Sequence, residues 1–154
     1  MTGNSPLCKG GSMKSIKDII SNKKLVTVKT GTNIHETVLL MSEHNIGLVP
    51  ILADDGKLIG VFSERDLLKR VIAKGLDLKS TAVDSVMTKE LLLADINESH
   101  QQCLKKMQEK VTRHILVVEN DKLAGILSMR DLLQIDIEVH QETIEVLHKY
   151  IYST

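Results

Sequence analysis

The sequence predicts an α/β protein made of two successive β-α-β-β-α units and a C-terminal helix. Residues 60–66, GVFSERD, return as GILSMRD at 125–131, each time where an apolar strand passes into a helix. The same order of apolar runs, helical stripes and turns precedes each copy. A unit of about 60 residues has little core of its own, so we expect the two to pack sheet against sheet with pseudo-two-fold symmetry.

The elements of the first unit follow from its apolar pattern. By residue number they are a strand at 25–28, a helix with the stripe Ile34, Val38 and Met41, strands at 48–52 and 58–62, and a helix from after Ser63 to about 74. Thr32 or Asn33 caps the first helix, and Gly47 ends it. The Asp-Asp-Gly sequence at 54–56 predicts a hairpin turn between the strands.

The second unit repeats this order. Its predicted elements are a strand at 91–93, a helix at 99–109, a strand at 114–118, a turn at 119–121, a strand at 123–127 and a helix from Met129. Corresponding residues are 66 apart before the hairpin turn, as Met41 and Met107 are, and 65 apart after it, as Gly60 and Gly125 are. One residue lost in a turn leaves the strands in register.

A long helix is predicted at the C-terminus, because no Gly or Pro follows Asp131 and apolar residues recur at helical multiples. The first apolar set is Leu133, Ile137, Ile144, Leu147 and Ile151, and a second is Leu132, Ile135, Val139, Val146 and Tyr150. A helix with so wide an apolar face either wraps its own domain or pairs with a partner, and dimerisation is the form of pairing that we expect.

Four segments follow from this pattern. We expect a leader or expression remnant at 1–13, a first repeat at 14–75, a second repeat at 76–135 and the C-terminal helix at 136–154. No apolar run reaches the ~20 residues of a membrane span, and the N-terminus lacks a secretory apolar core. We therefore expect a cytoplasmic protein that does not enter a membrane.

Composition excludes several classes of ligand. The formal net charge is zero and only three residues are aromatic, so neither long-range attraction to nucleic acid nor a base-stacking platform is expected. Cys8 and Cys103 have no metal-ligand spacing and predict two free thiols in a reducing compartment. No nucleophile elbow, phosphate loop or histidine ligand spacing occurs, so we expect neither an enzyme nor a metal site.

The repeated Ser-x-x-Asp motif, Ser63 with Asp66 and Ser128 with Asp131, has two interpretations. In the structural one, the serine caps the helix and the acidic residue stabilises its N-terminal amides. In the functional one, a hydroxyl and a carboxylate at the edge of a cleft hold the vicinal hydroxyls of a ribose. The two roles can coexist.

Arginine placement points to phosphate as a second ligand group. Arg65 and Arg130 lie inside the motifs, and Arg113 precedes a strand. The alternative is that they are ordinary solvated arginines on helix faces. The segment Thr112-Arg113-His114 corresponds to Ile46-Gly47-Leu48, so one unit offers positive charge where the other offers bare backbone.

These residues identify a family resemblance. The chain resembles a tandem cystathionine-β-synthase (CBS) domain pair, or Bateman module, over about residues 14–135. The stretches that carry it are 47–50 (GLVP), 60–66, 86–88 (VMT), 113–116 (RHIL) and 125–131. Leu116 departs from the family's usual proline, and Glu98 stands opposite Thr32, which places a negative charge near the expected phosphate.

The resemblance implies a regulatory module that binds AMP, ADP, ATP, NAD(H) or S-adenosylmethionine in two clefts between the repeats, with no other cofactor required. One cleft would combine Ile126, Ser128 and Asp131 with Thr32, Ile46, Gly47 and Leu48. The other would combine Val61, Ser63 and Asp66 with Thr112, Arg113 and His114. It also implies a homodimer and, since no effector domain is fused here, a separate target protein.

Three hypotheses remain at this point. The first is a non-catalytic adenine-nucleotide sensor that signals to a partner. The second is a dimerisation or interaction scaffold whose clefts stay empty while Ser63 and Ser128 only cap helices. A third is an enzyme, or a haem or metal sensor that uses His114 or Cys103.

Overall fold

The computed structural model describes residues 15–152. The predicted leader at 1–13, with Cys8 in it, lies outside the described residues, as do residues 153–154 and the side chains of Tyr150 and Tyr152.

Each repeat forms a three-stranded sheet in which a parallel pair and an antiparallel hairpin share the central strand. The first sheet contains β1 (Val28–Lys29), β2 (Leu48–Leu52) and β3 (Leu58–Ser63) in that order. The second contains β4 (Leu93–Asp95), β5 (His114–Glu119) and β6 (Lys122–Ser128). The α/β class and the two-repeat order are confirmed.

Helices alternate with these strands as expected, except for the first helix, which the sequence analysis did not predict. They are α1 (Ile16–Ser21), α2 (Ile34–His44), α3 (Glu64–Asp66), α4 (His100–Lys110) and α5 (Met129–Tyr152). A π-helical stretch, Leu67–Ile72, continues α3, and a short 3₁₀ turn forms at Val83–Ser85. The C-terminal helix predicted from the apolar spacing is confirmed, with 24 residues.

Asn33, one of the two predicted caps, caps α2 and accepts from the Glu36 amide at 2.8 Å. Three details differ from the sequence prediction. The strand expected at 25–28 forms at Val28–Lys29. Helix α2 ends at Asn45 and not at Gly47, because Asn45 adopts the left-handed conformation (φ 57°) that closes its last turn. The strand expected at 91–93 forms at Leu93–Asp95, where it pairs in parallel with β5.

The described chain divides into two compact units that do not follow the order of the repeats. The first-repeat unit is Leu25–Leu91. The second-repeat unit combines the described residues up to Lys24 with those from Leu92 onward, so α1 precedes the first repeat's strands in sequence but packs in the second-repeat unit. In the first-repeat unit the segment around Met87 packs against the sheet at Gly60, as α1 packs against the other sheet at Gly125.

Two glycines make this arrangement possible. A Cβ on Gly60 would lie 2.6 Å from the Met87 sulfur and 3.0 Å from the Thr88 carbonyl oxygen. A Cβ on Gly125 would lie 2.8 Å from Cγ2 of Ile20 in α1. Each sheet is therefore crossed so closely by its covering segment that no side chain fits between them.

Each unit has its own apolar core. In the first-repeat unit the core includes Val49, Ile51 and Phe62 from β2 and β3, all fully buried. In the second, Leu132 and Ile135 of α5 pack with strand residues and with α1. The other face of α5 carries exposed Leu133, Ile137, Ile144, Leu147 and Ile151.

Candidate ligand-binding site

The Ser-x-x-Asp motif of the first repeat forms a reciprocal capping box at the start of α3. The Asp66 amide donates to Ser63 Oγ at 3.2 Å, and the Ser63 amide donates back to Asp66 Oδ2 at 3.0 Å. The Ser63 hydroxyl also lies 3.1 Å from Asp66 Oδ2. Two orphan N–H groups at the helix start are thereby satisfied.

Asp66 is engaged further by two residues from elsewhere in the same unit. The Thr88 hydroxyl donates to its Oδ1 at 3.0 Å, and Arg70 Nε lies 3.5 Å from the same oxygen. Arg70 also donates to the Met87 carbonyl at 2.9 Å. The Asp66 side chain is only 8% exposed, so this carboxylate is committed to protein donors.

The second repeat builds the same box with a more open carboxylate. The Ser128 amide donates to Asp131 Oδ2 at 2.9 Å, and the Asp131 amide donates to Ser128 Oγ at 3.1 Å. Lys23 Nζ reaches the same Oδ2 at 2.7 Å. The Asp131 side chain is 22% exposed, and within residues 15–152 its Oδ1 has no hydrogen-bond partner.

The charge on Asp131 is stabilised despite its surroundings. Partial burial tends to raise the pKa of this carboxyl, but the hydrogen bond from Lys23 and the amide of Ser128 outweigh burial and lower the pKa below its ordinary value. Asp131 therefore stays an ionised acceptor at neutral pH. An ionised acceptor is what a pair of sugar hydroxyls requires.

The segment before the central strand lies against the box within each unit. In the first repeat the Glu64 amide donates to the Gly47 carbonyl at 3.0 Å. In the second, the Met129 amide donates to the Arg113 carbonyl at 2.8 Å. Each unit thus places its own Ser-x-x-Asp box beside its own pre-strand segment. Sequence analysis had assigned these two segments to different clefts.

The two pre-strand segments differ in charge. The Glu64 carboxylate lies over Gly47, where an added Cβ would be 3.2 Å from Oε1. Arg113 is exposed and His114 half-buried at the corresponding place, beside Met129. The first repeat therefore presents a negative group and the second a positive one.

Thr32 lies in a turn that Val83 and Asp84, near the end of the first-repeat unit, hold in place. Its hydroxyl donates to the Lys29 carbonyl at 2.8 Å, and its own carbonyl accepts from Val83 at 2.8 Å. Asp84 accepts hydrogen bonds from the Thr30 hydroxyl and from the Gly31 amide. Burial opposes ionisation of Asp84, but these two bonds outweigh it and lower its pKa.

The remaining candidates are apolar or cationic. Val61 is buried and its backbone pairs with Thr88, whereas Ile126 is half-buried on β6. Ile46 and Leu48 are half-buried before and at the start of β2. Arg65 and Arg130 are exposed, each two residues after the serine of its box.

Sequence reasoning missed the partners of the two carboxylates. Arg70 could have been found as an (i, i+4) partner of Asp66. Thr88 and Lys23 could not, since each is distant in sequence and arrives by tertiary folding. Glu98 is not an isolated charge, because Lys106 lies 2.8 Å from its carboxylate.

The described residues offer little support for a metal or thiol site. No group of three or more His, Cys, Asp or Glu residues within 15–152 is placed to hold a metal ion. Burial, with the nearby Glu98 charge, raises the pKa of the Cys103 thiol. None of the helices in this part of the chain combines the length and apolarity needed to cross a bilayer.

Comparison with protein-family models matches the CBS domain twice, over residues 16–73 and 83–138. The chain belongs to the CBS domain family. The CBS domain-containing protein YhcV of Bacillus subtilis is 32% identical over 120 residues, which cover 78% of this chain and 84% of that protein. The resemblance inferred from the repeated motifs is therefore confirmed.

Solved structures share this architecture. A crystal structure of an uncharacterized conserved protein from Pyrococcus horikoshii is 37% identical, with a TM-score of 0.72 over 80% of this chain and 93% of that one. A CBS domain protein from Pyrobaculum aerophilum complexed with AMP is 25% identical, with a TM-score of 0.67 over 73% of this chain and 86% of that one.

Proposed function

We propose that this CBS pair is a cytoplasmic, non-catalytic regulatory module that binds an adenosine-containing ligand and signals to a separate protein. The observation that carries the proposal is the Ser128–Asp131 box. Its carboxylate is ionised, fixed by backbone and by Lys23, and keeps one oxygen without a partner in the described chain. The AMP complex of the Pyrobaculum relative supports an adenine nucleotide as the ligand class.

In this proposal the ribose hydroxyls bind Ser128 and Asp131, and Ile126 contacts the base. By the family pattern, Thr32 and the segment 46–48 of the first repeat complete this position. Lys23 and Arg130 are the cations next to the box, and they favour a ligand that carries phosphate.

A second ligand position is proposed with lower occupancy. It would use Val61, Ser63 and Asp66 together with Thr112, Arg113 and His114, with Arg65 as a further phosphate contact. Arg113 suits a phosphate, but the Asp66 carboxylate already accepts hydrogen bonds from Ser63 and Thr88. A sugar there would have to displace a buried hydrogen bond, which lowers affinity.

The sensor is tested by thermal unfolding with AMP, ADP, ATP, NAD, NADH and S-adenosylmethionine. A ligand at 100 times its dissociation constant stabilises the folded state by about 2.7 kcal/mol. For a chain of this size that raises the Tm by about 5–10 °C. The absence of a shift with all six compounds would reject the proposal.

A ligand-free scaffold is the second candidate, and the first repeat favours it. The Ser63–Asp66 box is a complete structural device, since Asp66 is buried and bonded to Thr88 and Arg70. If the second repeat used its box only to cap a helix, neither box would need a ligand. Destabilisation by Asp131→Ala, in a protein whose Tm none of the six compounds raises, would support this candidate.

We also propose that the module is a homodimer. The helix after each box exposes the same apolar pair, Leu68 and Ile72 in the first repeat and Leu133 and Ile137 in the second. Side chains of this size are rarely repeated on a solvated face without a partner. Sedimentation of the full chain tests this directly.

A further inference from the structure

We infer that the C-terminal part of α5 forms a parallel two-stranded coiled coil with the same helix of a second copy. This inference extends the proposed homodimer and does not depend on nucleotide binding.

Helix α5 continues well past the part of the chain that the CBS family model matches, which ends at residue 138. Val139 is the last α5 residue that packs against the core of the second-repeat unit. Beyond Val139, the side chains of Ile144, Leu147 and Ile151 are each more than half exposed. An isolated helix of about the length of residues 140–152 is marginal in water, so a stable one needs a partner.

The exposed side chains of α5 form one continuous stripe. Its members are separated by alternating steps of four and three residues: Leu133, Ile137, His140, Ile144, Leu147 and Ile151. This is the a/d spacing of a heptad repeat, whose period of 3.5 keeps the stripe facing a single partner helix. The five apolar members are between 46% and 64% exposed.

The residue types on the stripe identify the partner. Isoleucine occupies the three a positions, Ile137, Ile144 and Ile151, and leucine occupies d at Leu133 and Leu147. β-Branched residues at a with leucine at d favour a parallel pair of helices over higher assemblies. Because this one stripe supplies suitable residues at both the a and the d positions, the same stripe of a second copy of this chain fits as its partner.

The flanking residues do not oppose self-association. In a parallel pair, Asp136 at a g position would face Gln141 at e of the second copy, and Thr143 would face His148. No two like charges meet in these pairs. His140 is the one polar member of the stripe and would meet its own copy, and a polar layer of this kind fixes the register.

The opposite face of the same helix supplies a matched control. Val146 is 66% exposed, similar to Ile144, but lies about 160° away around the helix at 100° per residue. A charge at Val146 therefore changes hydropathy and helix content as much as one at Ile144 does, without touching the stripe.

The test is sedimentation equilibrium of the full chain with Ile144→Asp and with Val146→Asp. We expect Ile144→Asp to weaken self-association by at least about 100-fold. Two isoleucine side chains, one from each copy, are lost from the interface between the stripes, and two like charges replace them. Val146→Asp should stay within about threefold of the parent. Equal affinity for all three proteins would overturn the inference.

Direction is tested by cysteine cross-linking in a Cys8→Ser background, in which the remaining Cys103 is buried. Under oxidation, Leu147→Cys should form a disulfide-linked dimer in nearly full yield, because equivalent d positions face each other in a parallel pair. A dimer that does not cross-link would overturn the parallel arrangement. The thermal response of Ile144→Asp to AMP reports separately on the ligand site, so a failed coiled coil and a failed sensor are distinguishable.

Discussion

Replacing Asp66 and Asp131 singly by alanine separates the structural use of the repeated box from its use in ligand binding. In Asp66→Ala the Ser63 hydroxyl still caps the helix, but the Ser63 amide loses its acceptor, which costs about 1 kcal/mol. The Thr88 hydroxyl also loses a buried acceptor, which costs about 2 kcal/mol more. The total of about 3 kcal/mol corresponds to a Tm lower by about 6–12 °C.

Asp131→Ala should be milder for stability and more severe for ligand. The bond that it accepts from the Ser128 amide is worth about 1 kcal/mol, and the partly exposed ion pair with Lys23 adds at most about 0.5 kcal/mol. Affinity for AMP should fall by about 10- to 100-fold, because the sugar hydroxyls lose a charged acceptor. Asp66→Ala should change that affinity by less than about threefold.

The assay combines urea unfolding with calorimetric titration of AMP on the same preparations. Asp66→Asn and Asp131→Asn serve as shape-preserving controls, since each keeps one acceptor oxygen for the cap. The reasoning is refuted if Asp131→Ala is the more destabilising variant. It is equally refuted if AMP binding survives that change and is lost in Asp66→Ala.

Three further outcomes are expected. Val111→Asn should raise the Tm by about 2–4 °C, because Val111 holds φ 53° at a helix end where its counterpart Asn45 tolerates the same conformation, and a lower Tm would contradict this. Gly125→Ala should cost about 1–3 kcal/mol in urea unfolding, since the new methyl group meets Ile20 at 2.8 Å, and an unchanged midpoint would contradict it. Acid titration of stability should show a component from Asp131: its pKa is lowered in the folded state, so its contribution is complete above the ordinary value of 3.8 and is lost as pH falls below it. Asp131→Asn should lack that component.

The repeat pattern predicted most of the fold, because local signals and tertiary packing agree at most elements. The strand at the start of the second repeat shows where they do not. Residues 91–93 are three consecutive leucines, which carry no alternation and so no register, and only pairing of Leu93 with Leu116 sets the strand two residues later.

The box itself was predictable and its environment was not. Ser63 with Asp66 and Ser128 with Asp131 follow from spacing alone. The difference between the two carboxylates comes from Thr88 and Lys23, residues on segments that fold back from far along the chain. No periodicity links such residues, so the inequality of the two copies appears only in three dimensions.

The contact of α1 with Gly125 also has a consequence for biosynthesis. Since α1 precedes both repeats' strands in the chain, it is synthesised before β6, against which it packs. Separating the chain between the repeats would strand α1 on the wrong fragment and expose the surface of β6 that it covers. A half-length product should therefore be prone to aggregation even though one complete sequence repeat is present.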